Sequence, residues 1–167
     1  LTFSLAPKTG QVVEFGVAAG RSIGLLSKLM QESRPDEVVV GFDSFLGLPI
    51  PWGQYPAGVF SMDGRPPKSA FERGNVDLRY GWFKDILPTL DRDPIGFAHI
   101  DSDLYESAVE VLDAISCLLQ PGSIVLFDEL FNLQGSYGDT LVDWQTTGEY
   151  KALIVSAHKF GFTWETL

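Results

Sequence analysis

Carboxylates close three apolar runs of this 167-residue chain. Asp43 ends "EVVVGFD", Asp101 ends "IGFAHID", and Asp128 with Glu129 ends "SIVLFDE". A carboxylate at the end of a buried run is costly unless a hydrogen-bonded turn, a cation or a ligand compensates it. Asp103, two positions after Asp101, has a simpler use as the cap of a helix starting near Tyr105, with Glu106 in its first turn. His99 shares a strand face with Asp101 and reads as a satisfied core histidine. His158, at the carboxyl end of a later run, is a reserve general base.

Two glycines sharpen the picture. "EFGVAAGRS" puts Gly16 and Gly20 in a turn between a strand and a helix, where a ligand could approach the backbone near the helix's positive end. The spacing is G-x-x-x-G, with Ala18 between, and so departs from the dinucleotide fingerprint G-x-G-x-x-G. Asp43 lies 23 residues after Gly20, where an acidic side chain can take both hydroxyls of a ribose. Its plainer use is as a turn aspartate.

These residues need a frame that gathers strand ends. Strands are expected over 11–17, 37–43, 76–83, 95–101, 123–129 and 150–157, with an antiparallel seventh over 162–167. Helical spacing covers 22–32 and 105–120, the latter ended by Pro121-Gly122. This alternation predicts an α/β fold, a doubly wound and mostly parallel sheet with helices on both faces. The Pro- and Gly-rich stretch 44–67, with Trp52 and Tyr55, follows the second strand at the carboxyl edge and is the candidate lid.

The net charge of −10, without a Lys/Arg cluster, argues against a nucleic-acid partner. No apolar run approaches the roughly 20 residues of a membrane span, and no signal peptide is recognised, so a cytoplasmic protein is expected. Cys117 reads as a small buried hydrophobe in a helix. The opening "LTFSLAPKTG" lacks a methionine, and residues 1–167 are read as one domain trimmed of an N-terminal helical extension.

In order, "EFGVAAGRS", "GFDSFLGLP", "GWFKDILP", "HIDSDLYES" and "PGSIVLFDEL" resemble the class I S-adenosylmethionine-dependent methyltransferases. The resemblance is closest to the macrocin O-methyltransferase type, which modifies macrolide sugars. It implies a seven-stranded sheet with a reversed last strand. It also implies that Glu14, Gly16, Ala18, Gly20 and Ser22 line the methionine and ribose end of the cofactor. Asp43 would hold the ribose beside Ser44 and Phe45, and Trp82 or Phe83 would stack on adenine, although an aromatic at a strand end is also a common core residue.

The same resemblance makes the strands ending in Asp101 and Asp128 neighbours, about 5 Å apart. Three like charges that close require either a retained proton or a cation. The all-oxygen set favours Mg2+ or Ca2+ over zinc. The implied metal ligands are Asp101, Asp128 and Glu129, although the family's usual second member is an Asp pair. The expected activity is Mg-assisted transfer of a methyl from S-adenosylmethionine to a hydroxyl of a small molecule, a sugar or macrolide-type natural product. Asp101 or His158 would be the base, and a homo-oligomer is compatible with this reading. The competing readings are a nicotinamide-dependent oxidoreductase and a cofactor-binding domain without chemistry.

Overall fold

A computed structural model describes residues 2–66, 68, 74–131 and 144–167. Five strands form one sheet: β1 (Gln11–Phe15), β2 (Val39–Asp43), β3 (Val76–Tyr80), β4 (Ile95–Ile100) and β5 (Leu119–Phe127). Their order is β3-β2-β1-β4-β5, and every pairing is parallel. The chain runs outward from β1 to β3, then returns to place β4 on the other side of β1. That reversal puts a crevice at the carboxyl ends of β1 and β4.

Both faces of the three central strands β2, β1 and β4 are covered, and this is why they are almost continuously apolar, whereas the outer β3 and β5 are partly exposed. Val12, Val39 and Phe97 face α1 (Arg21–Ser33), which contributes Ile23, Leu26 and Met30. Val13, Phe15, Phe42 and Ile100 face the other way, toward Ala108, Val111 and Leu112 of α3 (Tyr105–Ile115). Ala152 and Leu153 of α4 (Gly148–Phe160) belong to the same core. A short α2 (Phe83–Ile86) follows β3.

The expected strand over 150–157 is helical. Its β-branched pair, Ile154 and Val155, faces outward at 38% and 40% exposure. Ala152, Leu153, Ser156 and Ala157 are buried, which is helical spacing. Gly161 ends α4 in the left-handed conformation, its N–H donating to the Ala157 carbonyl at 2.8 Å. Residues 162–167 carry no strand. The described residues therefore hold five parallel strands, without the antiparallel seventh. The helix expected over 105–120 stops at Ile115, and Cys117 is exposed in the turn that follows. Among the described residues no helix is long and apolar enough to cross a membrane.

Candidate active site

The turn after β1 is the tightest point of the crevice. The Gly16 N–H donates to the Phe42 carbonyl at 2.9 Å, and the Asp101 N–H donates to the Phe15 carbonyl at 2.8 Å. Gly16 has φ 90°, and a Cβ there would stand 1.8 Å from the Asp101 carbonyl oxygen. Only glycine fits such a position. Gly20, also left-handed, precedes α1.

Asp43 organises this turn from β2. Its Oδ2 accepts the N–H groups of Val17 and Ala18, both at 2.7 Å, and its Oδ1 accepts the Phe45 N–H at 2.6 Å. The turn-aspartate use is therefore present. With about four acceptor positions on a carboxylate, capacity for one further donor remains.

A cavity of about 300 Å3 lies above these strand ends. Gly16, Ala18, Asp43 and Ser44 form its floor, and Gly81, Trp82 and Phe83 form the wall after β3. The stretch after β2 folds over it and contributes Leu48, Pro49, Trp52 and Phe60. Within that stretch Trp52 and Tyr55 exchange backbone hydrogen bonds of 2.9 and 2.8 Å and stack at 5.5 Å. The remaining wall carries Asp101, Ser102, Asp103, Asp128 and Glu129.

Several expected cofactor residues do not line this cavity. Glu14 is fully buried in β1, where it accepts from the Ser22 hydroxyl at 2.9 Å and meets His99 Nδ1 at 3.1 Å. Burial raises the pKa of Glu14, opposed by His99 and Ser22. Burial also works against a charged His99, but the hydrogen bond and charge of Glu14, with Asp101 and Asp128 behind, leave its pKa above the usual value. His99, buried and hydrogen-bonded to Glu14, is the satisfied core histidine expected. Phe45 is buried against Tyr80. Gly20 stays with the helix start.

Two expected positions are corrected. His158 is exposed near the end of α4, nine residues from Glu149 and so about 13 Å along the helix from it. It does not line the cavity. Asp103 makes no capping bond to α3, whose cap residue is Leu104. Its left-handed backbone, φ 59°, accompanies a side chain on the cavity wall.

The acidic wall is electrostatically loaded. Burial, then the charges of Asp128 and Asp103, push Asp101 up to about 7, with His99 opposing. Burial, then Glu129, Asp128 and Asp43, push Asp103 up to about 6. Glu129 is raised by burial and by Asp128. β4 and β5 are indeed neighbours, with Ile100 opposite Phe127. Among the described residues, however, no group of three or more His, Cys, Asp or Glu side chains is arranged to hold a metal ion.

Glu149 went unnoticed in the sequence because it lies far along the chain from the other acids. It is fully buried at the start of α4. Burial pushes it up to about 7, against hydrogen bonds from Ser102 and from the Glu129 N–H. No spacing signal could have found it, since its partners lie 47 and 20 residues away.

This geometry has relatives. The chain is 31% identical over 137 residues to the 8-demethyl-8-(2,3-dimethoxy-alpha-L-rhamnosyl)-tetracenomycin-C 4'-O-methyltransferase of Streptomyces olivaceus. It is 28% identical over 137 residues to the demethyldecarbamoylnovobiocin O-methyltransferase of Streptomyces niveus. Each match covers 72% of this chain and 52% of the relative, so the chain spans about half the length of these curated relatives. The solved structure of the O-methyltransferase NovP superposes with a TM-score of 0.71 at 23% identity, over 98% of this chain and 68% of that one. At that identity the likeness concerns the fold, a Rossmann-like α/β sheet. The family described as "Methyltransferase domain" matches residues 13–130, which carry the glycine turn, Asp43 and the acidic wall, and the chain belongs to that family.

Proposed function

We propose that this chain is the S-adenosylmethionine-binding domain of an O-methyltransferase acting on a hydroxyl of a small molecule, such as a sugar or macrolide-type natural product. The observation that carries the proposal is the single cavity shared by the glycine turn, Asp43, Trp82 and the acidic wall. Family membership disfavours the nicotinamide oxidoreductase. We read residues 1–167 as one domain. The seven-stranded sheet with a reversed last strand would need two strands beyond the five described.

The residues divide the work. Gly16 and Ala18 give the cofactor's methionine end close access to backbone, and Asp43 offers its remaining acceptor capacity to a ribose hydroxyl. Trp82 or Phe83, both on the cavity wall, would stack on adenine. The bound cofactor supplies a methyl on a sulfonium sulfur, already activated for in-line displacement. Without a cation, burial and its neighbours push Asp101 up to about 7, which suits it to accept the acceptor hydroxyl's proton; with Mg2+ bound it serves as a ligand instead. The wall suits a hard cation in donor chemistry, since its carboxylates raise one another's proton affinity. Asp101, Asp128 and Glu129 would hold Mg2+ after turning their carboxylates toward one ion, and the bound ion would lower the pKa of a coordinated hydroxyl. The 44–66 stretch closes over both ligands.

Calorimetry with S-adenosylhomocysteine and with NAD, each with and without Mg2+, tests the reading. Binding of S-adenosylhomocysteine alone is expected; binding of NAD alone overturns it. Asp128→Asn should abolish any effect of Mg2+, and an unchanged magnesium response in that variant removes the metal assignment.

A further inference from the structure

β4 and β5 stay paired as far as Ile100 and Phe127, and their last rung is the Asp128 N–H donating to the Ile100 carbonyl at 2.9 Å. Beyond that rung the strands reach the carboxylates of the cavity. There the backbone N–H groups of Ser102 and Glu129 turn to one side chain from another element. Glu149 Oε1 accepts the Ser102 N–H at 2.9 Å and the Ser102 hydroxyl at 3.0 Å, and Oε2 accepts the Glu129 N–H at 3.2 Å. Ser102 sits between Asp101 and Asp103, and Glu129 follows Asp128. Each carboxylate oxygen therefore holds one strand end.

A carboxylate in the first turn of a helix commonly serves its own helix's free N–H groups and dipole. Glu149 instead directs all three of these bonds to two other segments. Burying a carboxylate completely is costly without such compensation, and α4 already has Ala152 and Leu153 in the core to anchor it.

We propose that Glu149 is a positioning residue: its carboxylate replaces the next rung between β4 and β5 and sets the spacing at which Asp101 and Asp128 receive a divalent cation. The cation half of this inference rests on the Mg-assisted reading above, whereas the clamping of the two strand ends does not.

The test uses the full chain, with Mn2+ and S-adenosylhomocysteine titrated separately and amide hydrogen exchange followed by NMR. Glu149→Ala should weaken Mn2+ binding about 10–100-fold and leave S-adenosylhomocysteine affinity unchanged. The Ser102 and Glu129 amides should exchange faster together, while the Asp43-held amides of Val17 and Phe45 stay protected. Unchanged Mn2+ affinity in this variant, where the parent binds Mn2+, overturns the role. If the parent binds no Mn2+, the metal reading falls and exchange decides: joint acceleration supports the clamp, and retained protection at either amide overturns it. If Glu149→Ala does not fold, the isosteric Glu149→Gln carries the test. Its single amide oxygen can hold only one end, so one amide should be released; retention of both overturns the inference.

Discussion

Gly16 has no room for any side-chain carbon, because the Asp101 carbonyl occupies the place a Cβ would take. Gly16→Ala combines that clash with a left-handed backbone, so a loss of about 3 kcal/mol or more is expected. Urea denaturation measures it, and S-adenosylhomocysteine binding should disappear in whatever folds. A variant as stable as the parent would mean that β1 and β4 do not close this tightly. Single residues were legible where backbone constraint leaves a mark on sequence. Gly16 in its turn and Asp43 at a strand end belong to that kind, whereas Asp101 beside Asp128 followed from the sheet order that the family resemblance implies. Asp103 and Glu149 were not legible. A left-handed residue redirects the first, and contacts across 47 and 20 residues define the second.

At the level of elements, β1, β2 and β4 could be read because burial on both faces demands continuous apolar runs, and β3 and β5 because short β-rich runs alternate with helical spacing. α4 was misread because a strand and a helix can share a short apolar segment, and only the neighbour decides which side is buried. Here the neighbour is α3, and the small residues Ala152, Ser156 and Ala157 turn inward. A proline separates the two assignments. Val155 is outward-facing in the middle of α4. Val155→Pro should therefore cost about 3 kcal/mol or more through the lost bond and the ring clash. Thermal unfolding reads this directly, and a neutral result would argue for an exposed extended strand.

For the whole molecule, the acidic wall sets a pH dependence. Asp101 and Asp103 have folded-state pKa values of about 7 and about 6, against an unfolded value of about 4. Between those limits the folded chain holds more protons than the unfolded one. Stability from these groups is complete below about pH 4 and is lost as pH rises toward about 7. Melting temperature should accordingly fall across that window in chelator, more steeply in the parent than in Asp101→Asn. Equal slopes in the two proteins would mean that Asp101 is not loaded as described. The crevice has one more consequence. Among the described residues, Trp52 and Trp82 face the same cavity, one from the overhanging stretch and one from the wall after β3. Trp52 is stacked on Tyr55, whereas Trp82 is the cap residue that precedes α2. The protein thus carries its own optical reporter of occupancy, with no label added. Ligand entry should change the intrinsic emission in two separable parts, one removed by Trp52→Phe and the other by Trp82→Phe.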